Sequence, residues 1–138
     1  MNEYRYTDIS IGLMEQFKVK VTPEMMDSFL SITDDINPLH QDKEYATSLG
    51  YTDRVVYGML TASFLSTLAG TFLPGKYSLI HDVSIGFTKP VFVGDELTVT
   101  GVVSNMDETF KLIDIKVSII NQDSIRVVRG TMRVGVLE

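Results

Sequence analysis

The sequence predicts an α+β fold, with one buried helix covered by a curved antiparallel sheet. Three observations predict it. The run GMLTASFLSTLAGTFL, from Gly58 to about Leu73, is apolar almost all round, which suits a helix wrapped by other structure. After it the periodicity changes from helical to strand-like, in four segments rich in Val, Ile and Thr. The chain has 138 residues, 44% of them apolar and 22% charged, a balance that suits one domain over 1–138 with its own core.

The first element is EQFKVKVT (15 to 22), whose apolar Phe17, Val19 and Val21 alternate with polar residues as in a half-buried strand. Thr22-Pro23-Glu24 reads as a helix start, with Thr22 as N-cap and Pro23 at the first helical position, where its missing N–H costs nothing. PEMMDSFLSIT is then a short helix that turns Met25, Met26, Phe29 and Ile32 inward. DKEYATSLGY reads as another short helix, broken near Gly50. Pro74-Gly75 ends the long apolar helix. YSLIHDVSIGFTKPV, DELTVTGVVSNM, FKLIDIKVSIINQ and SIRVVRGTMRVGVL follow, with turn signals at 93–95, 105–108 and 121–124, and are expected to be consecutive antiparallel strands.

Composition removes several function classes. The net charge is −6, and the twelve Lys and Arg are scattered singly, so no basic stripe exists for a nucleic-acid backbone. The absence of cysteine excludes disulfides, thiolate metal sites and a cysteine nucleophile. No leader pattern and no stretch of about 18 apolar residues is present, so a soluble cytoplasmic protein without a membrane partner is expected. Neither a Gly-rich phosphate loop nor a metal-ligand cluster occurs, so no metal and no bound cofactor are expected.

Chemistry concentrates in DDINPLHQD, residues 34 to 42. Pro38 disfavours helix for Asn37, so the separation of Asp35 and His40 is not helical spacing and the segment is expected to be a turn or loop. A loop that doubles back aims both side chains at one point, where a water sits between a carboxylate acceptor and an imidazole. Residue types and spacing alone favour a polar turn, with Asp34, Asp35 and Asn37 capping or turning the chain and His40 at the surface. The other histidine, His81, stands beside Asp82 in a predicted strand and reads as structural or solvent-facing.

DDINPLHQDKEYATSLGYTDRVVYGMLTASFLSTLAG resembles the motif of the MaoC-like, (R)-specific enoyl-CoA hydratases: D-x-N-P-x-H, then H-G-M-L-x-x-S at the start of a helix. LPGKYSLIHDVSIGFTKPVFVGDELTV is similar to the family's next segment, so the likeness runs from about residue 15 to 105. The resemblance implies a hotdog fold, commonly a homodimer, and reversible syn addition of water to a trans-2-enoyl thioester. The thioester, of coenzyme A or acyl-carrier protein, is the substrate, and no further cofactor is implied. Asp35 would be the base that deprotonates water, His40 would hold that water and donate a proton toward the α-carbon, and Asn37 would hold the loop. Gly58 and Met59 open the buried helix, and their amides are the candidates for an oxyanion hole, since unpaired N–H groups there favour developing negative charge. Ser63 falls on the motif serine and is a candidate pocket residue, its alternative being a hydroxyl bonded to the preceding turn. Tyr57 stands where the family usually has histidine, so the pattern predicts that Tyr57→His keeps or raises activity. Phe29, Leu60, Phe64, Phe72 and Phe87 are candidate acyl-pocket or core residues, and Lys89, Lys76 and Arg54 are candidate phosphate contacts. Two alternatives remain, a thioesterase of the same fold and a degenerate acyl-thioester-binding protein.

Overall fold

A computed structural model describes all 138 residues. The strands are β1 (Met14–Lys20), β2 (Ser78–Phe87), β3 (Glu96–Asp107), β4 (Leu112–Ile120) and β5 (Arg126–Val136). The helices are α1 (Pro23–Thr33), α2 (Pro38–Gln41), α3 (Lys43–Ser48) and α4 (Gly58–Thr67), the last continued by a π-helical turn over Leu68–Phe72.

All strand pairings are antiparallel and give one sheet in the order β1-β3-β4-β5-β2. Of the four later strands, β3, β4 and β5 are consecutive antiparallel neighbours as expected from sequence, but β2 departs from that order: it pairs with β5 instead of β3, whose other neighbour is β1. The connection from Thr88 to Asp95 is long enough to cross between sheet positions. It is pinned on the way by Val56 N–H donating to Val91 O (2.8 Å) and Gly94 N–H donating to Val21 O (2.8 Å).

Alternation along β3 and β4 turns Leu97, Val99, Val103, Ile113, Ile115, Val117 and Ile119 to one face, where all are buried. Leu65, Leu68 and Ala69 from α4 and its continuation belong to the same buried cluster. Each such side chain contributes about 1.5–3 kcal/mol on burial. Gly101 sits on that face where the helix comes nearest, for a Cβ there would lie 2.9 Å from both Leu68 Cδ2 and Ile115 Cγ2. The helix laid across a curved sheet is the hotdog arrangement.

Two local expectations need correction. Ile32 does not face inward but is 81% exposed, because α1 packs through Met26, with Met25, Phe29 and Leu30 half-buried. Residues 38–41 are not loop but one helical turn, α2. Asn37 is its N-cap, accepting from Leu39 N–H at 2.9 Å, and Pro38 takes the first position, which requires no N–H. Elsewhere Thr22 caps α1 through Met25 N–H (3.3 Å), and Asp42 caps α3 through Glu44 N–H (2.9 Å). His81 is exposed, at the point where the β2–β5 register slips between Ile80 and Asp82.

Candidate active site

Asp35 lies in the short segment between α1 and α2 and is held from three sides. Its N–H donates to Thr33 Oγ1 (3.3 Å), and that hydroxyl donates to Phe29 O (2.8 Å). Its Oδ1 accepts from Asn37 N–H (3.1 Å), an Asx turn that leaves the other carboxylate oxygen uncommitted within the protein. Its backbone oxygen accepts from Tyr57 Oη (2.9 Å). Asp34, in the left-handed region at φ 56°, closes α1 and takes no part in this cluster.

His40 sits in α2, half-buried, with Nδ1 2.6 Å from Val55 O. A carbonyl oxygen can only accept, so Nδ1 carries a hydrogen and Nε2 is the free ring nitrogen. Asp35 and His40 line the same cavity, of about 570 Å³, together with Phe29, Thr33, Tyr57, Gly58, Met59 and Phe87. The five-residue spacing is thus closed by a cap and one helical turn.

The opening residues of α4 form the third wall. Leu60 N–H and Thr61 N–H both donate to Tyr57 O, whereas the amides of Gly58 and Met59, ahead of the first helical bond, have no acceptor in the chain. A Cβ at Gly58 would stand 3.2 Å from the Phe87 ring, so glycine keeps this wall close to β2.

Ser63 lies apart from this group. Its Oγ donates to Leu60 O (2.6 Å), the bond to the preceding turn, and it borders a separate groove with Leu60 and Met25. Of the aromatic candidates, Phe29 and Phe87 reach the Asp35 cavity, while Phe72 stacks on Phe17 at 4.9 Å and Phe64 packs against the core. Sequence reasoning missed Thr33, Gln41 and Val55 as supports. Gln41 Nε2 donates to Tyr57 Oη. A polar residue following the motif histidine was the available signal for Gln41, but the Val55 contact runs through a backbone oxygen and leaves no trace in residue type.

A second cavity, of about 300 Å³, shares His40, Gly58 and Phe87 with the first and includes Thr61, Lys89 and Val91. Lys76 is engaged elsewhere, 3.3 Å from Glu3. An apolar groove of about 320 Å³ shares Met59 and Phe87 with the Asp35 cavity and continues between α4 and β2 past Leu65, Ile80 and Val83. No group of three or more His, Asp or Glu side chains is placed to hold a metal ion, and no helix is long and apolar enough to cross a membrane.

The chain is similar to known proteins in sequence and fold. The chain is 37% identical over 103 residues to the (R)-specific enoyl-CoA hydratase of Aeromonas caviae, covering 75% of this chain and 77% of that one. The structure of the A. caviae (R)-hydratase superposes with a TM-score of 0.88 at 31% identity, over 93% of this chain and 97% of that one. The unliganded R-hydratase of Pseudomonas aeruginosa gives a TM-score of 0.91 at 25% identity, over 97% and 86%. Residues 12–124 match the family model described as MaoC like domain. With that match over most of its length, the chain belongs to the MaoC-like domain family.

Proposed function

We propose that this protein is an (R)-specific enoyl-CoA hydratase, and in reverse a 3-hydroxyacyl-CoA dehydratase, with 1–138 acting as a single catalytic domain. The observation that carries the reading is the convergence of Asp35, His40 and the free amides of Gly58 and Met59 on one cavity. The relatives' names support it in the same sense.

In the hydration direction the Asp35 carboxylate takes a proton from water as the oxygen attacks the β-carbon. Charge that develops on the thioester oxygen is met by the Gly58 and Met59 amides. His40, with Nδ1–H tied to Val55 O, gives the α-carbon a proton from Nε2 when the ring is doubly protonated. Transfer of the Asp35 proton back to His40 closes the cycle, and the net change is addition of one water. Both groups act from one cavity, so oxygen and proton reach the same face of the double bond, which is syn addition.

The acyl chain takes the apolar groove between α4 and β2, and the polar arm of the thioester runs past Lys89. Coenzyme A is the carrier in the names of three relatives, with carrier-protein thioesters, named for two others, as the competing substrate. A second copy of the chain joins along β2, giving a homodimer.

Purified protein with crotonyl-CoA tests the activity, following enoyl absorbance and free thiol together and assigning the product's configuration. Enoyl loss without thiol and an (R)-3-hydroxyacyl product is expected. Thiol release would instead identify a thioesterase. Binding without turnover of any enoyl-CoA or carrier-protein thioester would identify a degenerate member.

A further inference from the structure

Tyr57 is 1% exposed, immediately ahead of α4, and touches both residues assigned to proton transfer. Its Oη donates to the Asp35 backbone oxygen (2.9 Å) and accepts from Gln41 Nε2. Its ring centroid lies 4.3 Å from that of His40, at 32° between planes, and 4.8 Å from that of Phe29. The directions of these bonds follow from donor chemistry. An amide NH₂ only donates, so Gln41 occupies a phenol lone pair and the single phenol proton is left for the Asp35 carbonyl.

This side chain therefore joins three pieces of the site: the segment carrying Asp35, the α2 turn carrying His40, and the start of α4 with its free amides. A buried phenol is suited to that work because it keeps its proton. Burial pushes its pKa up, the Gln41 bond pulls the other way, and the negative charge of Asp35 raises it further.

Resting on the hydratase reading, we propose that Tyr57 is a positioning residue whose hydroxyl bridge, from Gln41 to the Asp35 carbonyl, holds Asp35 and His40 in working register. Removal of the hydroxyl leaves the Asp35 carbonyl and the Gln41 amide without this partner and frees the 34–37 segment to shift. A small displacement of a general base costs rate far more than binding. The tolerance of Tyr57→His expected from the family pattern is replaced by an expected loss, because an imidazole is shorter than a phenol and cannot span both partners.

The test is steady-state hydration of crotonyl-CoA by wild type, Tyr57→Phe, Asp35→Asn, the double variant, and Gln41→Leu, with circular dichroism confirming each fold. Tyr57→Phe is expected to lower kcat roughly 10- to 100-fold with KM changed less than about threefold. It is expected to add little in the Asp35→Asn background, where no base is left to position. Gln41→Leu, which keeps the phenol ring but removes its orienting donor, should reproduce part of the kcat loss, and it decides the matter should Tyr57→Phe fail to fold. Wild-type kcat in a folded Tyr57→Phe or Gln41→Leu protein would overturn the positioning role, as would a Tyr57→Phe effect of full size on top of Asp35→Asn. A wild-type protein that hydrates no enoyl thioester would instead overturn the hydratase reading itself, and the positioning role with it.

Discussion

In the proposed mechanism Asp35 and His40 do different work from different supports, so their losses should look alike in rate but not in cause. Asp35→Asn keeps the shape and the Asn37 contact but removes the charge that accepts a proton, and His40→Ala removes the ring anchored on Val55 O. Each is expected to lower kcat by at least about two orders of magnitude, the usual contribution of a general acid or base, with thermal unfolding little changed. A folded variant of either with near-wild-type turnover would remove the mechanism. That Asp35 and His40 face one cavity, with Asn37 holding the turn between them, could be anticipated from the sequence because a proline-containing motif fixes types at fixed spacing. Tyr57 was visible only as a departure from the expected histidine, since nothing in the type of a residue tells that its hydroxyl meets a backbone carbonyl 22 positions earlier. Ser63 shows the reverse, a motif position whose hydroxyl is spent within its own helix.

Among the elements, the start of α1 was legible because caps are local, with Thr22 and Pro23 next to the turn they open; Asn37 and Pro38 carry the same cap signal, but the helix they open is a single turn and was read as loop. Strand existence was legible for the same reason, but strand order was not, since the pairing of β2 with β5 rather than β3 is decided by how the sheet covers α4. The β4–β5 pair offers a test of what holds neighbouring strands on the outer face. Asp114 stands opposite Arg133, which donates from Nε to Oδ1 (2.9 Å) and from Nη2 to Oδ2 (3.3 Å). The Arg133 hydrogen bonds hold the Asp114 carboxyl below its ordinary value, against the opposing effect of burial, and a bond from Asn105 helps. A carboxyl whose folded pKa is depressed contributes stability above its unfolded pKa and loses it as pH falls through the lower folded value. Arg133→Gln should therefore lower the urea midpoint slightly at pH 7, as expected for a pair exposed to solvent, and the difference from wild type should vanish in acid below both values. An equal difference at both pH values would mean that Arg133 acts through packing of its stem.

The molecule as a whole leaves one side of its central helix uncovered. The expectation of a helix wrapped all round is met toward β3, β4 and β5, but Met59 is 65% exposed, and on the adjoining strand Ile80 is 40%, Val83 44% and Phe87 52% exposed. That strand, β2, is also a sheet edge, with β5 on one side and no partner on the other. A long apolar edge of this kind invites pairing with another strand. Pairing β2 with β2 of a second copy about a twofold axis satisfies both copies at once, because such an interface uses the same patch twice. It would also roof the groove from Met59 to Ile80 that is assigned to the acyl chain. Wild type should then sediment at twice its chain mass of 15.4 kDa. Val83→Lys, which sets a charge in the middle of the edge, should shift the equilibrium to monomer with the circular dichroism spectrum retained, and should cut hydration because the acyl groove both loses its roof and gains a charge in its lining. Sedimentation of wild type as a monomer at tens of micromolar would exclude the β2 pairing. A monomeric Val83→Lys protein with undiminished hydration would separate dimer formation from the shaping of the acyl groove and return that groove to a single chain.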